Sequence, residues 1–156
     1  MQIHLIAVGK RMPQWVTDSF KDYNKRLPKE FRVNLVEISP ANRSKNKSIE
    51  KILTDEADMI RMAIPKHSVL IILDEKGKQL TSVNFAKKIT SWFENKPHIC
   101  FVIGGADGIQ AELKESADML LSISSMTCPH ALVRVILVEQ LYRVWSILNN
   151  HPYHRE

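Results

Sequence analysis

The residue types best suited to chemistry lie in the last third of the chain. An apolar run from Ile99 to Ile103 ends in Gly104-Gly105-Ala106-Asp107-Gly108, a second leads into Ser124-Ser125-Met126-Thr127-Cys128-Pro129-His130, and the sequence closes on His151-Pro152-Tyr153-His154-Arg155-Glu156. Strands that end in glycine and in Ser/Thr loops leave backbone N–H and C=O groups free to hold a small polar ligand. The final six residues gather two histidines, a tyrosine and an arginine where a solvated tail is ordinarily bland. Between these segments, Ala131 to Leu148 is apolar almost all round, yet it carries Arg134, Glu139 and Arg143. Glu139 and Arg143 have the i, i+4 spacing of an ion pair. Such a pair either orients a substrate or satisfies itself at an interface.

Several other chemistries fail on spacing. Gly104 to Gly108 lacks the G-x-G-x-x-G order of a dinucleotide site, and no Lys-Ser/Thr follows to make a phosphate loop. His151 and His154 have Pro152 between them and no thiol or carboxylate cluster in support, so no metal site is expected. Cys128 and His130 flank Pro129, which points to a backbone turn and away from a thiol nucleophile.

The elements that must position these residues follow from hydrophobic periodicity. Strands are predicted at Gln2 to Val8, Phe31 to Ile38, Val69 to Leu73, His98 to Ile103 and Met119 to Ile123. Helices are predicted after Pro13, with Trp15, Val16, Phe20, Tyr23 and Leu27 inward, and from a Ser48 cap to Ala63, with Ile49 among the inward residues. Further helices are predicted from a Ser82 cap through Phe93, near Gln110 to Ala117, and from Ala131 to Leu148. Asp74 to Lys78 reads as a turn. Strands alternating with helices over 156 residues argue for one α/β domain spanning 1–156, without internal boundary or repeat. The last helix must be buried on more than one side. One face covers the sheet, and the other meets a second subunit or lies central in a monomer.

Charge narrows the partner class. The formal net charge is +5, but residues 10 to 51 hold 11 Lys/Arg against 5 Asp/Glu, a local balance of +6. A one-sided basic face suits a polyanion, since phosphate contacts gain by counterion release. The loop from Ser39 to Ser48 carries Arg43, Lys45 and Lys47 with no acid and no large apolar anchor, and reads as mobile until engaged. The opening Met1-Gln2-Ile3-His4 lacks a basic leader segment, and no apolar stretch reaches the roughly 20 residues of a membrane helix. Cys100 and Cys128 read as reduced structural thiols, so a cytoplasmic protein without membrane attachment is expected.

Four segments together resemble a known family: Leu73-Asp74-Glu75-Lys76-Gly77, Phe101 to Gly108, Leu121 to His130, and Glu139-Gln140-Leu141-Tyr142-Arg143 with the closing His151 to Glu156. The chain resembles, from first strand to last residue, the bacterial large-subunit (23S) ribosomal RNA pseudouridine N3-methyltransferases of the SPOUT class. Cys128 stands where leucine or phenylalanine is commoner, and Ala106-Asp107 falls in a variable loop. The resemblance implies a mostly parallel sheet with helices on both faces and a C-terminal trefoil knot, an exception to the rule against knots. It also implies S-adenosylmethionine bent among three loops: the turn at Leu73; Gly104 and Gly105; and Ile123, Ser124, Ser125, Met126, Thr127 and Cys128. Glycine at 104 and 105 is expected to let the main chain approach the ligand. Leu73, Ile123 and Met126 are expected to cover its apolar faces.

By the same resemblance, His154 or Glu139 assists loss of the N3 proton, Arg143 stabilises the developing charge, and Tyr153 and Arg155 grip the nucleotide. The substrate is expected to be ribosomal RNA in the assembled ribosome, docked through Arg43, Lys45 and Lys47. A homodimer is expected in which the tail completes the partner's site. Two rivals remain at this stage: a non-catalytic ribosome-binding or assembly factor, which the basic face allows, and a nucleotide hydrolase, whose phosphate loop or metal carboxylates are missing.

Overall fold

A computed structural model describes residues 2–155; Met1 and Glu156, the ends of the expected domain and of the closing motif, lie outside the described residues. The elements in order are β1 (Gln2–Val8), α1 (Gln14–Arg26), β2 (Val33–Ile38), α2 (Ile49–Ala63), β3 (Ser68–Gln79), α3 (Ser82–Asn95), β4 (His98–Ile103), α4 (Ala111–Glu115), β5 (Met119–Ser122) and α5 (His130–Leu148). The strands form one sheet in the order β2-β1-β4-β3-β5, every pair parallel.

Side-chain alternation divides the core into two layers. Ile3, Leu5, Phe101 and Ile71 face one side, where they meet Phe20 of α1, Phe85 and Ile89 of α3, and Leu137 and Leu141 of α5. Ile6, Val8, Val102 and Ile72 face the other, under Ala57 and Ile60 of α2 and Leu113 of α4. Burial on both faces explains why the central strands read as continuous apolar runs. Cys100 lies in this second layer, and burial pushes its thiol up to about 12, far from reactive ionisation. Neither cysteine is in a disulfide.

Several local expectations are corrected. Phe31 ends a 3-10 turn (Lys29–Phe31) ahead of β2 instead of opening the strand. Trp15 and Ile49, expected inward, are exposed, and two further positions of α2 are buried, Glu56 and Ala57. Ser48 does cap α2, accepting the N–H of Lys51 at 3.1 Å. The α3 cap is Thr81, which accepts from the Asn84 N–H, while Ser82 donates to Gln140 of α5 at 2.7 Å.

The expected turn at Asp74 to Lys78 is the most informative correction. β3 continues through it to Gln79, and Leu121 of β5 pairs with both Leu73 and Lys78. The ladder is interrupted between these two pairings, so residues 74–77 arch out of it and lie against β5 before pairing resumes at Lys78. At Gly77 an added Cβ would lie 2.7 Å from backbone atoms of Leu120 and Leu121. The arch therefore crosses main chain against main chain, a contact only glycine permits.

At the opposite end of the sheet, the His4 and His98 rings of neighbouring strands meet edge to face, 5.4 Å between centroids. Burial, and then the neighbouring His98, hold His4 below its ordinary value near 6.5. The unfolded chain thus takes up this proton more readily than the folded one, so the contribution of His4 to stability is intact above about pH 6.5 and falls away below it. Urea midpoints are expected to drop between pH 7.5 and 5.5, and His4→Gln should flatten that slope; an unchanged slope would contradict the assignment.

Candidate active site

The middle of β3 from Leu73 to Lys76 and the C-terminal ends of β4 and β5 enclose a cleft of about 720 Å³, within the roughly 300–1,000 Å³ of small-molecule sites. Leu73, Ile103, Leu121 and Ile123 supply apolar wall, and the glycine loop and residues 123–130 supply backbone and hydroxyl groups. Of the nine residues expected around a cofactor, Leu73, Gly104, Gly105, Ile123, Ser124, Met126, Thr127 and Cys128 line this cleft; Ser125 is exposed and does not. Ser124 shapes its loop from within: its hydroxyl accepts from the Met126 N–H at 3.0 Å, and its carbonyl accepts from the Ser122 hydroxyl at 2.8 Å. Met126 is 77% exposed, so it stands at the mouth of the cleft.

The two glycines are also constrained by packing within the protein. A Cβ on Gly104 would lie 2.5 Å from the Ile109 side chain and 2.7 Å from the Gly108 carbonyl. One on Gly105 would come within 3.1 Å of the Glu56 carboxylate and 3.2 Å of Val8. Gly104 is thus required by the loop's own packing, and Gly105 is tightly bounded by it. The positive φ in this loop belongs to Gly108, at +85°.

Three carboxylates line the same cleft, and sequence reading gave none of them a role: Asp74, Glu75 and Asp107. Each tethers one wall to another part of the molecule. Asp74 pairs with Lys114 of α4, Glu75 accepts from the Thr127 hydroxyl at 3.4 Å, and Asp107 pairs with Arg43 of the basic loop. Burial opposes ionisation of Asp74, but hydrogen bonds from Lys114 and the Lys76 N–H outweigh it and hold this carboxyl below its ordinary range.

The expected catalytic residues form a second cluster. Glu139 Oε1 accepts from Arg143 Nε at 3.1 Å, Arg143 Nη2 at 2.7 Å and the Tyr153 hydroxyl at 3.0 Å, while Oε2 accepts from Gln140 at 2.7 Å. The Arg143 guanidinium lies 4.8 Å over the Tyr153 ring. Burial, then hydrogen bonds with Tyr23 and Glu139, raise Tyr153 so that its hydroxyl keeps its proton at neutral pH. Burial works against the charge on Arg143, but Glu139 more than offsets it and the guanidinium is held more firmly protonated.

The tail reaches this cluster because α5 ends in a Schellman turn: Asn150 adopts φ 52°, its N–H bonds to Ile147 C=O, and the His151 N–H bonds to Ser146 C=O at 2.8 Å. The chain then folds back, placing the Tyr153 ring 4.6 Å from that of Tyr142. His154 is half-buried and Arg155 is exposed. None of Glu139, Arg143, Tyr153 or His154 lines the cleft. His130, at the start of α5, does; Glu139 and Arg143 lie about 13 and 20 Å further along the helix axis at 1.5 Å per residue.

A family model described as "Predicted SPOUT methyltransferase" matches residues 1–154. The chain belongs to the SPOUT methyltransferase family. It is 52% identical over 155 residues, 99% of each chain, to a Ribosomal RNA large subunit methyltransferase H of Janthinobacterium sp. (strain Marseille). Proteins of the same name from Paraburkholderia phymatum and Burkholderia vietnamiensis are 46% and 48% identical over the same coverage. The SPOUT fold is the α/β-knot, and the Gly77 arch across β5 is consistent with that threading. The assembly-factor and hydrolase alternatives give way to a methyltransferase.

The methyl donor of a SPOUT methyltransferase is S-adenosylmethionine. The cleft suits it: apolar walls for a flat ring, free loop backbone for the edge of a base, and carboxylates for a cationic centre. When bound, the donor supplies an electrophilic methyl carbon.

The basic loop differs from its sequence reading. It is anchored, because Ala41 is buried and donates its N–H to the buried Glu56 carboxylate at 3.1 Å. Arg43 is paired with Asp107 and Lys47 with Asp55, whereas Lys45 is exposed. Lys45 is therefore the cleanest probe of the docking expected from the sequence. Lys45→Glu should weaken ribosome binding several-fold at low salt and leave donor affinity unchanged; co-sedimentation and calorimetric titration check the two halves.

Proposed function

We propose that this chain transfers a methyl group from S-adenosylmethionine to N3 of a pseudouridine in 23S ribosomal RNA, acting in the cytoplasm on the assembled ribosome as a homodimer. The observation that carries the reading is the near full-length likeness to proteins named Ribosomal RNA large subunit methyltransferase H, joined to a cleft of donor size. The segment from 10 to 51 supplies the basic charge for contact with RNA.

The dimer accounts for the separation of cleft and cluster. Leu132, Val135 and Ile136 remain only half-buried on α5, and Leu148 is 43% exposed. A two-fold axis across this stripe pairs the two α5 helices antiparallel, which brings the Glu139–Arg143–Tyr153 cluster of one protomer to the His130 end of the other's cleft. Each site is then built from both chains.

Methyl transfer by in-line displacement needs mainly alignment of the acceptor nitrogen with the methyl carbon. Both oxygens of Glu139 are engaged by Arg143, Tyr153 and Gln140, so it acts as a positioning residue. His154 takes the N3 proton, Arg143 stabilises the resulting anion, and Tyr153 with Arg155 holds the nucleotide. Mass mapping of 23S RNA from a strain lacking the gene should show one methyl missing from a pseudouridine and restored by this chain. An unchanged modification pattern would overturn the reading.

A further inference from the structure

We infer that Asp107 is the charge-discriminating residue of the cofactor cleft, and that Arg43 neutralises it until an RNA phosphate draws Arg43 away. The inference rests on the cleft being the donor site and on the basic loop being an RNA contact. Arg43, with a side chain 48% exposed, pairs with Asp107, 21% exposed, across 64 residues of sequence. Asp107 lines the cleft and Arg43 does not. Asp74, by contrast, is balanced by Lys114, itself a lining residue, and Glu75 engages Thr127. Asp107 is thus the cleft carboxylate whose counter-charge comes from the basic loop.

A second link joins the same two loops. Glu56, 3% exposed, accepts the Ala41 N–H and stands 3.1 Å from where a Cβ on Gly105 would be. A shift of the basic loop is therefore passed to the glycine loop through a buried group.

The donor carries a fixed positive sulfonium, and the product, S-adenosylhomocysteine, has a neutral thioether in its place. A bare carboxylate favours the donor over the product; a carboxylate matched by a guanidinium does so less. Guanidinium prefers the bidentate geometry that phosphate offers. Docking through Arg43 uncovers Asp107 and raises selectivity for the donor. By reciprocity, the donor-loaded protein holds RNA more tightly than the product-loaded one, which favours departure after transfer.

The test is calorimetric titration of the full-length protein with S-adenosylmethionine and S-adenosylhomocysteine at low salt. Arg43→Ala should raise the donor-to-product affinity ratio about threefold, and Arg43→Lys should leave it near the wild-type value. Asp107→Asn should lower the ratio below that of wild type, and the double variant should fall between Asp107→Asn and Arg43→Ala. Adding purified large ribosomal subunits should shift the wild-type ratio in the same direction as Arg43→Ala, and should have no effect on Arg43→Ala itself. An unchanged ratio in Arg43→Ala, or an unchanged or raised ratio in Asp107→Asn, would overturn the role of Asp107. A positive Arg43→Ala result with no response to subunits would overturn the phosphate release. Absence of donor binding to wild type would remove the donor-site reading itself, a result distinct from both.

Discussion

Arg143→Ala is expected to slow methylation of ribosomes by about 10²–10³-fold in kcat/KM, the usual cost of removing a donor that stabilises developing charge, while donor affinity stays near wild type. Arg143 sits in the Glu139 cluster, away from the cleft of its own chain, so its loss should not touch the cofactor directly. Its removal takes two hydrogen bonds from Glu139 and the cation from the Tyr153 ring. Arg143→Lys keeps the charge without the two-pronged contact and should fall between. Activity within threefold of wild type in the alanine variant would contradict the role.

Gly77→Ala is expected to destabilise the fold by about 3 kcal/mol, at the upper end of overpacking costs. The added carbon meets backbone of Leu120 and Leu121 at 2.7 Å, and neither chain can move without breaking the pairing of Leu121 with Leu73 or Lys78. Gly108→Asn serves as control, since nothing lies within 4 Å of its Cβ position and asparagine tolerates positive φ better than other side chains. Chemical unfolding measures both. A Gly77→Ala protein as stable as wild type would mean that the arch is not a tight crossing.

The sequence made some features readable and concealed others for physical reasons. Continuous apolar runs such as Ile99 to Ile103 marked buried parallel strands, because burial on both faces leaves no polar alternation. Ser48 was readable as a cap, but Thr81 was not, since Thr81-Ser82 offers two hydroxyls in succession and only geometry chooses between them. Asp74 to Lys78 has turn composition and yet lies within a longer strand, because the β5 residues that pair with Leu73 and Lys78 on either side are remote in sequence. The glycine loop was readable as a candidate part of the site, but the crowding around its glycines was not: Glu56 and Val8, which crowd Gly105, lie some 50 and 100 residues away. The ion pair of Arg43 with Asp107 was hidden in the same way. Glu139 and Arg143 were legible from i, i+4 spacing alone, but their distance from the cleft became visible only when the lining was seen to reach no further along α5 than Val133.

Subunit mixing tests the composite site most directly. Arg143→Ala has an intact cleft and a defective cluster; Cys128→Trp fills the cleft and leaves the cluster intact. Each homodimer should be inactive. Purified mixed dimers should recover about half of wild-type methylation, because one of their two sites joins an intact cleft to an intact cluster. Mixed dimers as inactive as either parent would show that each cleft relies on its own chain's Arg143, and the two-chain site would be wrong.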